Sequence, residues 1–409
     1  MKIILYSPLK NKLSINALAG AMSADEELRK LSTAFPSDPA ALDKALAETA
    51  GEKTVAGFSF FSSQAWETAK LARAARKKYP ALTLVAGGAH PSGAPEATLR
   101  LGFDAVCVGE GEKTFTEFLR RQLDGKEWRG LEGMAFLENG KFKQGKRRPR
   151  INLDDYPPFS EIHGRYGIIE ITRGCPNACK FCQTSHLHGL RHRHRSVETI
   201  LGYARLMHNK GMSDFRAVTP DALSYGSDGK EINYAALEKL LAGLHKILKP
   251  RGKIFFGSFP SEVRPEHVTK KAVALVVKYA DNDNLVIGAQ SASPRMLKLC
   301  GRGHSAADIF RAAEITLKAG LRPNMDFIFR LPGETEADAR LSLAAMRELT
   351  AMGARIHAHT FMPLPGTAYA AKSPAKPYPW FDAEINKLNA RGAVFGDWRE
   401  QAKQKPSHK

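Results

Sequence analysis

The sequence predicts an α/β protein of two consecutive domains, an open parallel sheet covered by helices followed by six βα units curved into a partial barrel. Three observations carry this reading. Along residues 1–140, the strand-like runs KIILYSP, TVAGFSFFS, LTLVAGG and AVCVGEG alternate with helical segments, the pattern of a parallel sheet buried on both faces. A second series, GIIEITRG, FRAVTPDALSYGS, KIFFGSFPSEV, LVIGAQSAS, PNMDFIFRLPGE and RIHAHTFMPLPGT, keeps the same rhythm to about residue 370. Glycine and serine gather at the strand ends, in SFFSS, AGGAHPSG and VGEGEKTF, where such sheets bind ligands.

Each element has its own warrant. In QAWETAKLARAARKKY, Ala65, Ala69, Ala72, Ala75 and Tyr79 recur at steps of three and four, leaving Lys70, Arg73, Lys77 and Lys78 for solvent. The basic run KFKQGKRRPR and the Pro-rich NLDDYPPFSEI predict a linker over 141–162. The barrel then occupies 163–370 and a helical extension 371–409. No run approaches the roughly 18 apolar residues of a membrane span, and the expected location is cytoplasmic. The 61 Lys and Arg outnumber the 42 Asp and Glu, giving a formal charge of +19 clumped at 141–150 and in LRHRHRS at 190–196. No aromatic RNP sequence or GXXG loop accompanies the charge, so nucleic acid is not the expected partner.

The chemistry is concentrated in ITRGCPNACKFCQTS. Cys175, Cys179 and Cys182, spaced by three residues and then two, can converge on one site. A zinc loop needs a fourth ligand at matching spacing, and Cys107 and Cys300 stand in no second Cys-x-x-Cys. Three thiolates on a cuboidal 4Fe-4S cluster leave one iron open for a substrate or cofactor. Cys107, inside DAVCVG, and Cys300, in LKLCGRGHS, read as buried structural thiols. His357 and His359 alternate in RIHAHT and share one face of a strand; the sequence offers no third ligand for a metal, so substrate hydrogen bonding or core packing is the expected role.

With Phe181 just before the last cysteine, this motif resembles that of the radical S-adenosylmethionine superfamily. The resemblance implies a 4Fe-4S cluster on Cys175, Cys179 and Cys182. S-adenosylmethionine is then chelated at the open iron and cleaved to a 5'-deoxyadenosyl radical. It places Ser258, Glu262 and Arg264 of GSFPSEVR near the ribose and carboxylate of that cofactor. Gln290 and Ser291 stand at a contact position where an acidic residue is common, and Phe329, Leu331 and Pro332 flank the adenine. A Gly-Gly-Glu-like stretch that holds the methionine amine is replaced by VTPDALSYGS, where Asp221, Thr219 or Ser224 stand in.

The order of a Ser-rich strand end, then Gly-Gly, then VGEGE resembles the flavodoxin-like (Rossmann) cobalamin-binding domain that precedes many such barrels. It implies room for the nucleotide tail at Gly87 and Gly88, hydrogen bonds from Ser59 and Ser62, and close backbone approach at Gly109, Glu110 and Gly111. The Asp-x-His-x-x-Gly motif that ligates cobalt is absent from SPLKNKLSINALAG, leaving His90 as the imidazole expected near the cofactor. The two domains in this order resemble the class B radical S-adenosylmethionine methyltransferases, which implies transfer of a methyl group from cobalamin to an unactivated carbon. RGHS and RIHAHTFMPLPGT look most like the group containing the methyl-coenzyme M reductase glutamine C-methyltransferase. That likeness implies a protein or peptide substrate and a low-potential electron donor such as a ferredoxin or flavodoxin. An RNA-modifying, methylthiotransferase-like enzyme and a non-enzymatic cobalamin or redox sensor are the competing readings.

Overall fold

The computed structural model describes residues 1–49 and 51–403, so the last six residues of the helical extension lie outside the described residues. The chain divides into two compact units. Met1–Gly167 with Leu364–Gly366 form the first, and Ile168–Pro363 with the residues from Thr367 onward form the second.

The first unit holds a seven-stranded sheet of β1 (Lys2–Tyr6), β2 (Thr33–Ala34), β3 (Thr54–Ser59), β4 (Thr83–Gly87), β5 (Ala105–Cys107), β6 (Met134–Glu138) and β7 (Lys141–Gln144). Its order is β2-β1-β3-β4-β5-β6-β7, parallel through β5 and antiparallel thereafter. The first five strands follow the flavodoxin-like order, with the reversal of winding at β1 and β3. Alternation buries both faces. Ile4, Ala56, Leu84 and Val106 enter one core, and Ile3, Leu5, Val55, Val85 and Ala105 the other. Helix Ala65–Lys78 buries Ala65, Ala69, Ala72 and Ala75 as the spacing predicts. Asp38 caps helix Pro39–Ala47 by accepting from the Ala41 N–H, with Pro39 in its first turn.

The stretch expected to be a linker is part of this unit. Asn139 and Gly140, both at positive φ, turn β6 back into β7, so KFKQ is an edge strand. Asn-Gly between two strand-like runs is the strongest short hairpin signal a sequence carries, and the expected boundary at 140 cut through it. Beyond the hairpin, Ile151, Leu153, Phe159 and Ser160 are buried. The Arg165 guanidinium donates to Asn16 Oδ1 (2.8 Å) and Ser7 Oγ (2.6 Å). Of the basic clump, Arg148 pairs with Glu117 (2.6 Å), whereas Lys141, Lys143, Lys146, Arg147 and Arg150 are exposed.

In the second unit, β8 (Ile169–Glu170), β9 (Thr172–Arg173), β10 (Arg193–His194), β11 (Asp214–Val218), β12 (Lys253–Phe255), β13 (Asn284–Gln290), β14 (Arg322–Phe329), β15 (Arg355–Thr360) and β16 (Val394–Phe395) occur in chain order. Parallel pairing links β8, β11 and β12 into one sheet and β13 through β16 into another. A parallel bridge from Val263 to Ile287 joins the two series across the gap after β12. Six parallel strands separated by helices give the partial (β/α)6 barrel, and the short β16 extends it. The helices carry strong start signals: Ser305 with Asp308 and Thr335 with Asp338 form capping boxes. No helix among the described residues is long and apolar enough to cross a membrane.

Candidate active site

Antiparallel pairing of β9 with β10 (Arg173 opposite Arg193, Thr172 opposite His194) closes the base of the loop carrying the cysteines. Within it the chain turns tightly: Ala178 lies at φ +49° and the Cys182 N–H donates to Cys179 O (3.0 Å). Each sulfur has a polar donor. Asn177 Nδ2 lies 3.5 Å from Cys175 Sγ, Thr184 N–H 3.4 Å from Cys182 Sγ, and Arg302 Nη1 3.5 Å from Cys179 Sγ. Burial pushes the Cys182 thiol up and the Thr184 contacts oppose it, so a bound metal would have to displace that proton. Three sulfurs with N–H donors aimed at them fit a cluster with one open iron. Cys300 is no fourth ligand. It is buried with Met296, Leu331, Phe361 and Tyr369, and burial lifts its thiol to about 11. Cys107, in the first unit, is raised by burial to about 12.

Arg302 connects this loop to the barrel strands. Its Nη2 donates to Gly288 O (2.5 Å) on β13 while Nη1 faces Cys179. Gly288 is the center of a cradle. A β-carbon there would stand 2.9 Å from Gln290 Nε2, 3.2 Å from Glu262 Oε2 and 3.4 Å from Arg302 Nη2. Gln290 reaches that spot because its backbone is left-handed, φ +69°, where the register between β13 and β14 shifts. A non-glycine residue in that conformation costs roughly 1–3 kcal/mol and persists only when its surroundings enforce it.

Around the cradle, Ser258 Oγ, Arg264 Nη2 and Arg302 Nε are buried polar atoms without a hydrogen-bond partner in the structure, and Glu266 Oε2 and His304 Nδ1, equally buried, face each other at 3.6 Å. Buried polar groups are otherwise paired almost without exception, so this concentration fits a polar ligand such as S-adenosylmethionine. Arg264 keeps Nε on Glu266 (2.6 Å) and leaves Nη2 for a carboxylate.

Burial, and then the neighboring Asp326 carboxylate, pushes Glu262 up to about 7. A carboxyl raised from 4.5 stabilizes the fold fully only below that value, and the contribution is lost as pH climbs through 7. The cofactor-free chain is therefore expected to lose melting temperature between pH 5 and 8. Glu262→Gln should flatten that slope, which differential scanning calorimetry would read.

Several expected contacts go elsewhere. Phe329 stacks edge-on against Phe381 of helix Pro379–Ala390 (5.0 Å), because the pleat puts it on the face opposite Asp326. Leu331 lies in the apolar cluster that also holds Cys300, with Phe181 packed against it. The proposed amine-holding set is spent on itself. Asp221 takes His267 Nδ1 and the Arg264 N–H, while Thr219 and Ser224 hydroxyls donate to Asp221 O. Arg302, Gly288, Glu266 and His304 were missed. Arg302 and His304 stand in the GRGHS run after a helix end, where the left-handed Gly301 was the available signal.

In the first unit, Ser59 ends β3 and its hydroxyl accepts from Ser14 Oγ (2.8 Å), while Asn11 Nδ2 donates to Ser59 O (2.5 Å). Asn11 Oδ1 is buried beside it without a hydrogen-bond partner. Ser59 thus stands at the carboxyl end of β3, beside β1, the strand ends where a fold with this order takes its ligand. Gly109, at φ +87°, has open space beyond its Cα, but its N–H is held by Ser92 Oγ (2.9 Å). Gly111 is met by Leu18, Gly87 makes ordinary contact with Cys107, and Glu110 accepts from the Ile151 N–H (2.9 Å). His90 is 2% exposed, bonded to Ser62 Oγ (3.0 Å) and stacked on Phe60, so it is a buried group held by its own unit.

Gly88 is required by the backbone itself. At φ +91° its β-carbon would stand 2.7 Å from Ser59 Oγ and 2.9 Å from Phe60 N. Gly88→Ala is expected to cost at least about 2 kcal/mol, seen as a lower urea midpoint.

Residues 11–119 match the B12 binding domain and residues 169–345 the Radical SAM superfamily. The "uncharacterized methyltransferase PH0819" of Pyrococcus horikoshii is 27% identical over 76% of this chain and 68% of its own. The ribosomal protein uS12 methylthiotransferase RimO of Hydrogenobaculum is 27% identical over 57% of this chain and 55% of its own. Among solved structures, the radical S-adenosylmethionine methyltransferase TsrM of Kitasatospora setae, with cobalamin and a 4Fe-4S cluster bound, superposes with a TM-score of 0.69. It is 16% identical, with 90% of this chain and 76% of that one covered. The cobalamin-dependent radical enzyme OxsB superposes at 0.65 and 17% identity, covering 84% of this chain and 51% of its own. Three cofactors follow from the two matched domains: a 4Fe-4S cluster, S-adenosylmethionine and cobalamin. The chain thus carries a Radical SAM domain preceded by a B12 binding domain.

Proposed function

We propose that the chain methylates an unactivated carbon, with a protein side chain as acceptor. Arg302 carries this reading, because one guanidinium touches both a cluster cysteine and the cradle formed by Gly288, Glu262 and Gln290. When bound, the cluster and S-adenosylmethionine supply a 5'-deoxyadenosyl radical, and cobalamin supplies the methyl group. The chain's own residues bind and orient. Cys175, Cys179 and Cys182 hold the cluster, Arg264 holds the cofactor carboxylate, and Glu262 with Gln290 accepts and donates hydrogen bonds at the cradle. Cys300, Leu331 and Phe361 back the cluster loop with apolar surface. The finer assignment, a glutamine of methyl-coenzyme M reductase, is supported by the RGHS and RIHAHTFMPLPGT segments.

Anaerobic turnover with mass analysis tests the proposal. 5'-Deoxyadenosine together with S-adenosylhomocysteine and a methylated peptide is the expected result. 5'-Deoxyadenosine without S-adenosylhomocysteine would refute methylation.

A further inference from the structure

The structure supplies the third ligand that His357 and His359 lacked in the sequence. Asp326 on β14 stands directly opposite His357 on β15, and His357 Nδ1 lies 2.8 Å from Asp326 Oδ1. His359, two residues on and on the same strand face, sets its ring 4.2 Å from that of His357. One ligand atom from each of the three residues lies within 4.8 Å of the others. We propose that Asp326, His357 and His359 bind a divalent transition-metal ion, a site separate from the iron-sulfur cluster.

The surroundings are those of held ligands. Phe395 stacks on His357 nearly parallel (4.7 Å, 11°) and fixes its ring plane. Gln401 Nε2 lies 3.4 Å from His359 Nδ1, while Gln401 Oε1 accepts from the Thr360 N–H (2.7 Å). The amide is thereby locked with its N–H toward His359 Nδ1, which accepts and leaves the ring proton on Nε2, so a metal ion would be taken at Nδ1 in place of this contact. Asn324, two residues before Asp326 and on the same face of β14, buries an amide oxygen without a hydrogen-bond partner. A lone Asp–His pair would explain neither the second imidazole nor that oxygen. Two imidazoles and one carboxylate suit zinc, iron(II) or cobalt(II) over magnesium or calcium, and three protein donors leave positions open for an oxygen ligand.

The test uses the full chain, anaerobically reconstituted so that the cluster occupies its cysteines, without cobalamin. Zn²⁺ is added, excess is removed by desalting, and zinc and iron are counted by mass spectrometry. The expected result is about one zinc per chain beside about four irons. Asp326→Asn and His359→Gln should each lower the zinc at least fivefold with iron unchanged. Should a variant lose iron as well, Co²⁺ added to the wild-type chain decides the matter. Visible bands of nitrogen- and oxygen-ligated cobalt support the site and their absence overturns it. Zinc retained equally by the wild type and both variants, or bound by none, overturns it too.

Discussion

Cys179→Ala is expected to lower bound iron from about four per chain to less than one and to abolish formation of 5'-deoxyadenosine, while cobalamin uptake is unchanged. Cys179 is the most buried of the three ligands, and its sulfur is the one that Arg302 contacts. Two thiolates cannot hold a cuboidal cluster that three hold with one iron already open. Corrin uptake should survive because the first unit has its own sheet and its own two apolar cores. Iron and sulfide analysis, with the visible spectrum of added cobalamin, reads both effects on one sample. Loss of corrin binding along with iron would mean that the first unit depends on the cluster loop for its fold.

Gly288→Val should leave the cluster in place and weaken S-adenosylmethionine binding more than tenfold. A β-carbon alone would come within 2.9 Å of Gln290 Nε2 and 3.2 Å of Glu262 Oε2, and valine adds two methyl groups to that point. Those side chains would have to leave the cradle, and Arg302, held by Gly288 O, would be displaced with them. A tenfold loss corresponds to about 1.4 kcal/mol, modest beside the polar contacts at stake. Equilibrium binding to the iron-replete variant is the measurement. Unchanged affinity would move the cofactor away from Gly288.

Both folds were legible because their signals are local. Apolar runs marked β1, β3, β4 and β5 of the first unit and six parallel strands of the second, though not β2, β6 or β7, and the alanine spacing of helix Ala65–Lys78 gave its buried face correctly. The cysteine motif was equally legible, since its ligands are close in sequence. What the sequence hid depends on register and on turns. Asp326 meets His357 only because β14 and β15 pair in one particular alignment, across 31 positions of chain. Phe329 was expected at the adenine, yet pleat parity sends it to Phe381. The closeness of Gly88 to Ser59 and Phe60 at the neighboring strand end was equally out of reach of the sequence. The β6–β7 hairpin was hidden by its basic composition, although Asn139-Gly140 announced it.

The account depends on an iron of the cluster that the protein leaves free for S-adenosylmethionine. Electron paramagnetic resonance of the reduced, iron-replete chain, recorded with and without S-adenosylmethionine, tests this most directly. The account predicts a reduced 4Fe-4S signal whose g-values shift when S-adenosylmethionine is added, with the shift lost in Gly288→Val. A reduced cluster whose spectrum S-adenosylmethionine leaves untouched in the wild-type chain would contradict it.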